Sequence, residues 1–170
     1  AQFTGEQINV MIDCTSMSPK WYYEFFKWFY EKQEGGNKVR IRIIYTMANY
    51  VSQPGSRKVK EISDFLKGEI RPDNGKKVAL ILGLGQEKKV SESIHKLIEP
   101  DLLYLFYADP PVEKRFVEKV FVNNHKLINE APIRNLVAYP IRNGQSIYQS
   151  LIDIILPLRN EYSIVLIPQG

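Results

Sequence analysis

Cysteine is nearly missing from this chain. One residue, Cys14, stands in 170, so no intramolecular disulfide and no cysteine-based zinc site can form. Histidine is almost as scarce. His95 and His125 each fall in a helical stretch with no second ligand four residues on, which leaves metal chemistry poorly supplied. No apolar run reaches the eighteen or so residues that a membrane-spanning helix needs. Ala1 to Gln7 is polar and lacks the charged-then-apolar order of a signal peptide. The phosphate-cradling GxxxxGK[ST] pattern and the GxSxG nucleophile elbow are both absent. These absences lead to the expectation of a cytoplasmic protein in a reducing compartment, with no membrane partner and no bound cofactor. The chain also begins without methionine and stops at Ile167-Pro168-Gln169-Gly170, directly after an apolar run. A piece of a longer, multidomain protein is therefore expected.

What is present is an ordinary globular composition. At 44% hydrophobic and 25% charged, the chain has enough apolar surface to bury a core, so disorder is not expected. The net charge of +4 comes from 23 basic and 19 acidic residues. The basic residues are scattered, and the cluster Arg57, Lys58, Lys60 is followed at once by Glu61 and Asp64. Such a surface is compatible with nucleotides without arguing for them.

The apolar runs give the order of elements. Strands are predicted at Ile8 to Ile12, Val39 to Tyr45, Val78 to Leu82, Leu102 to Tyr107, Leu136 to Tyr139 and Ser163 to Ile167. Their near-continuous apolar character is that of strands buried on both faces. A first helix opens at Ser18-Pro19, serine as N-cap and proline in the first turn, and ends before Gly35-Gly36. Further helices are predicted at Val90 to Ile98, Val112 to Asn129 and Gln145 to Leu156, the last interrupted at Pro157. Ser52 to Lys77 reads either as a short helix at Lys58 to Leu66 or as an extended excursion. The expected fold class is α/β: a single three-layer, Rossmann-like domain over 1–170 with about six mostly parallel strands.

The first helix carries eight aromatic residues between Trp21 and Tyr30. Tyr22, Phe25, Phe26 and Phe29 follow helical spacing and form a core face. Lys20, Glu24, Lys27 and Glu31 form a narrow polar stripe, flanked by Trp21 and Trp28 and by Tyr23 and Tyr30. Such a helix is either widely buried by its own domain or forms an interface, where Trp and Tyr are favoured. A homodimer through Trp21 to Tyr30 is the corresponding expectation.

In open parallel sheets ligands sit beyond the carboxyl ends of the strands. That rule selects Asp13, Cys14, Thr15, Ser16 and Ser18 after the first strand, and Thr46, Asn49 and Tyr50 after the second. It selects Gly83 and Gly85 after the third, Asp109 after the fourth, Arg142 and Asn143 after the fifth, and Gln169 and Gly170 after the sixth. The collection is small, polar and rich in hydroxyls. The first loop runs from a strand into a helix N-terminus, which favours an anion. Gly83-Leu84-Gly85 begins like a dinucleotide fingerprint, but Lys88 stands at the third glycine and the loop follows the third strand.

An enzyme is the alternative. Asp13 and Asp109 would be its acids, holding Mg²⁺ in a nuclease of the PIN type or serving another hydrolase, although no third acid is evident. Asp13 to Met17 is close to the Asp-x-Ser-x-Ser metal site of von Willebrand-type domains, but Met17 replaces the second hydroxyl and a thioether is a poor ligand for a hard cation. Phosphatases of the haloacid type need an aspartate where Thr15 stands. Cys14 and Ser16 are placed as nucleophiles but have no identified base. A protein–protein interaction module built on the aromatic helix is a further alternative.

The loop with Thr15, Ser16 and Ser18, the aromatic first helix and the glycine loop after the last strand together resemble the CRISPR-associated Rossmann-fold (CARF) sensor domains. The resemblance covers the order of elements across nearly the whole chain. It implies a dimer that binds a nucleotide second messenger, such as a cyclic oligoadenylate, at the strand-end face and controls an effector domain outside this chain. Thr15 and Ser16 would form the first phosphate loop and Gln169-Gly170 the last. The resemblance points to a ligand-sensing domain in prokaryotic defence or signalling.

Overall fold

The computed structural model describes residues 8–33, 38–46, 56, 58–62, 75–111 and 114–169. It is an α/β protein with a Rossmann-like alternation of strands and helices. The elements are β1 (Ile8–Asp13), α1 (Pro19–Gln33), β2 (Val39–Ile44), β3 (Lys77–Gly83), α2 (Val90–Ile98), β4 (Leu102–Ala108), α3 (Lys114–Glu130), β5 (Leu136–Tyr139), α4 (Gly144–Leu158) and β6 (Tyr162–Ile167). Every ladder between these strands is parallel. The six strands form two sheets, β1-β2 and β5-β4-β3-β6, and the chain divides into two compact units, Ala1–Asn49 and Tyr50–Gly170.

In the first unit β1 and β2 run side by side in register from Ile8 opposite Val39 to Asp13 opposite Ile44. β2 alternates, with Arg40 and Arg42 between Val39, Ile41 and Ile43. Its connection to β1 is the crossover through α1 that parallel neighbours require. Among its described residues Ile12 and Phe29 are the buried apolar side chains.

The second unit holds the main core. Val78 to Leu82 of β3 are all buried, because β3 lies between β4 and β6 and is covered on both faces. Val78, Leu80 and Leu82 share one face. They join Val90, Ile94 and Ile98 of α2 and Val120 and Leu127 of α3 in one cluster. Ala79 and Ile81 face the other way and are equally buried, on the side that the β5–β6 connection through α4 must use. The register of β3 is locked by Asp101, whose carboxylate accepts the Val78 N–H while its own N–H donates to the Val78 carbonyl. Asn135, buried in the single 3₁₀ turn before β5, donates to the Leu103 carbonyl of β4.

One helix differs from expectation, α4, whereas α2 has the expected bounds, Val90–Ile98. α4 runs through Pro157 to Leu158 instead of breaking there. The proline lies in the last turn, where its missing N–H forfeits one bond and Arg159 still donates to the Ile155 carbonyl. α2 is bounded by Lys89 and Glu99, both left-handed with φ of 69° and 47°, and no side chain caps its N-terminus. The stretch Ser52 to Lys77 lies mostly outside the described residues.

Candidate functional site

The strand order of the second unit fixes where a ligand crevice belongs. The chain steps from β3 to β4 to β5 in one direction, then returns through α4 to place β6 on the opposite side of β3. That reversal is a topological switch point, and in open α/β sheets the crevice opens outside the carboxyl ends of the two strands that flank it. Those ends are Gly83 of β3 and Pro168-Gln169 after β6. The glycine loop follows the third strand of the chain, but that strand is the first of its own sheet, and the objection raised by its place in the sequence falls away.

The geometry around this loop is close. A Cβ on Gly83 would stand 3.2 Å from the Gln169 backbone nitrogen, and one on Gly85 would stand 3.2 Å from the Gln169 Oε1. Both positions are thus tight for any larger residue, Gly83 against backbone and Gly85 against the Gln169 side chain. Gln169 Oε1 accepts a hydrogen bond from Ser91 Oγ at 3.3 Å. Ser91 is fully buried in the first turn of α2. The Gln169 Nε2 is buried and has no hydrogen-bond partner, a costly state for an amide donor.

Two consecutive asparagines of α3 hold the loop from beneath. Asn124, 1% exposed, donates to the Gly85 carbonyl at 2.9 Å and to the Val120 carbonyl at 2.8 Å. Asn123 donates to the Gln86 carbonyl. With these carbonyls turned toward α3, peptide planarity turns the following N–H groups the other way. Ser91 and Asn124 were not selected from the sequence. The signal was there: each is a lone polar residue in the buried row of an amphipathic helix, Asn124 between Val120 and Leu127, and a buried amide must have partners.

The first unit gathers a second set. Thr15 donates to Asp13 Oδ1 through both its backbone N–H, at 3.0 Å, and its hydroxyl. The Thr46 N–H donates in turn to Thr15 Oγ1 at 2.9 Å. Cys14 donates its N–H and its thiol to the Ile44 carbonyl. The Thr15 hydroxyl, and after it the Thr15 N–H, hold the Asp13 carboxyl below the ordinary aspartate range. Asp13, Thr15 and Thr46 therefore tie the ends of β1 and β2 together, and Thr15 is largely used up in doing so. Ser16 and Ser18 have exposed side chains, and the Ser18 carbonyl accepts the Trp21 N–H, as an N-cap residue does. Burial, followed by Cys14 and Tyr45, raises the Tyr22 phenol on α1.

The remaining rim residues are separate. Asp109 is exposed at the end of β4, its N–H donating to the Tyr139 carbonyl. It belongs to the second unit and Asp13 to the first. Asn143 caps α4 by accepting the Ser146 N–H at 3.1 Å, and Arg142 is exposed beside it. Asn49, Tyr50 and Gly170 lie outside the described residues. Among the described residues no three His, Cys, Asp or Glu side chains gather as a metal site would require, and no helix is long and apolar enough to cross a membrane. No family model matches the chain, and neither does any curated protein or solved structure.

Proposed function

We propose that the chain is a ligand-sensing domain, that it takes a small polar, nucleotide-like molecule at its strand-end loops, and that the seat is the crevice between the ends of β3 and β6. One observation carries the reading: the switch point of the β5-β4-β3-β6 sheet coincides with a glycine loop and with a buried amide nitrogen, Gln169 Nε2, that has no acceptor. An oxygen-rich ligand, such as a phosphate or a ribose, supplies that acceptor. Gly83 and Gly85 allow the close approach of Gln169 that sets this amide beside the loop, and Lys88 and Lys89 end the loop with positive charge. The role in prokaryotic defence or signalling, with an effector domain elsewhere, rests on the resemblance to CARF domains alone.

The test is a thermal-shift screen of the chain against nucleotides and cyclic oligonucleotides. A ligand at about 100 times its dissociation constant stabilises the protein by roughly 2.7 kcal/mol, which is a shift of several degrees. Gln169→Ala and Ser91→Ala are expected to weaken that shift, while Ser16→Ala leaves it unchanged. The opposite pattern would move the seat to the loop after β1. A flat response to every nucleotide-like compound would sink the reading.

A further inference from the structure

Three basic residues of the first unit come into line on one face of its sheet. In β2 the side chains of Arg40 and Arg42 point to the same side, two residues apart, and Lys38, directly before the strand, heads the same row. The register sets Asn9 of β1 opposite Arg40 and Met11 opposite Arg42, so no acid faces either arginine across the ladder. Asp13 stands beyond Met11 at the end of β1, and its Oδ1 is engaged by Thr15. Ile12, on the opposite face, is buried, whereas Asn9, Met11, Lys38, Arg40 and Arg42 are all exposed. Among the described residues Lys38, Arg40 and Arg42 form no ion pair.

We infer that this face binds the phosphodiester backbone of a single-stranded nucleic acid. A strand rises about 3.3 Å per residue, so the three cations stand in single file at intervals of about 6.6 Å. That straight, evenly charged line complements a chain that carries one negative charge on every nucleotide. An acidic protein segment does not repeat its charge in this way, because its carboxylates sit wherever its sequence puts them. A single file also suits one backbone, whereas a duplex presents two. Each guanidinium offers a planar fork that matches two phosphate oxygens. Among its described positions the face carries no aromatic ring on which a base could stack. The recognition is therefore of the backbone and independent of base sequence. The net charge of +4 has the right sign for the encounter. The row belongs to the first unit and the crevice between β3 and β6 to the second, so the inference does not rest on the ligand reading.

The experiment is fluorescence anisotropy of a labelled oligothymidylate titrated with the chain over a range of salt. Three phosphate contacts give a slope of about −2 in log Kobs against log salt, which is roughly a twentyfold loss of affinity from about 50 to about 200 mM. Lys38→Ala, Arg40→Ala and Arg42→Ala are each expected to reduce the steepness of that slope by about 0.7. The double variant Arg40→Glu/Arg42→Glu is expected to abolish binding. Lys27→Ala removes an exposed cation from α1 and is expected to leave the slope as it is. Circular dichroism equal to the parent's keeps unfolding out of the comparison. The absence of salt-dependent binding, or row variants that bind as the parent does, would overturn the inference, and so would an equal loss in Lys27→Ala. A duplex of the same length that binds as tightly would overturn the single strand. Polyglutamate that displaces the oligonucleotide at equal charge concentration would overturn nucleic acid as the occupant.

Discussion

β2 and β3 are strands of similar length, both rich in aliphatic residues and both paired in parallel, yet their surroundings differ sharply. Val78 to Leu82 of β3 are all buried, with Leu80, Ile81 and Leu82 at 0% exposure, whereas Ile43 in β2 is 56% exposed. The sequence marks the difference. β3 reads Val-Ala-Leu-Ile-Leu without a polar residue, as a strand with cover on both faces must. β2 inserts Arg40 and Arg42 between its apolar residues, the mark of a strand with one wet face. Position completes the contrast. β3 is central in four strands, while β2 belongs to a pair, and two strands alone are marginal in water. An apolar run shows what a strand can bury; its neighbours decide what it does bury.

The strongest way to break this comparison is a matched pair of truncations. Leu80→Ala should destabilise the chain by about 2–5 kcal/mol, and Ile43→Ala should stay within about 0.5 kcal/mol of the parent, both read by urea denaturation. Similar losses at the two sites would mean that β2 is as well covered as β3. A finer contrast lies in how each unit holds its strand-end loop. Asn124→Ala leaves the Gly85 carbonyl without its side-chain donor and should cost about 1–3 kcal/mol. It should also weaken any ligand seated between β3 and β6.

The smallest effect concerns pH. Because the folded-state pKa of Asp13 is lowered, its contribution to stability is present above the ordinary aspartate pKa and is lost as pH falls through the lowered folded value. Thr15→Val removes the hydroxyl that is the main cause of the lowering. It should raise the Asp13 pKa toward the ordinary value, which an NMR titration of the carboxyl carbon would follow. An unchanged titration would mean that the hydroxyl is not what holds the carboxylate.

Apolar runs and periodicity were enough to find the six strands and four α-helices of the described residues. They could not say which strand lies beside which, because side-chain alternation records burial and not partners. The division into sheets of two and four strands is therefore a finding of the structure, as is the switch point beside β3. Gly83, Gly85 and Gln169 were legible from the strand-end rule, and the structure brings them together. Thr15 and Asp13 were legible too, but as ligand groups; the structure shows them bonded to each other and to Thr46. Ser91 and Asn124 were missed because the strand-end rule selects loop residues and passes over those buried in helices.

The two left-handed ends of α2 bear on the order in which the chain folds. Nine residues are too few for a stable helix alone, since isolated helices shorter than about 12–15 residues are marginal. Lys89 and Glu99 make nucleation harder still. Each adopts a backbone conformation that costs a side-chain-bearing residue about 1–2 kcal/mol, and no N-terminal side-chain cap offsets it. α2 must therefore draw its stability from Val90, Ile94 and Ile98 once β3 and β4 offer a surface to receive them. It is expected to form late, after the sheet that receives it.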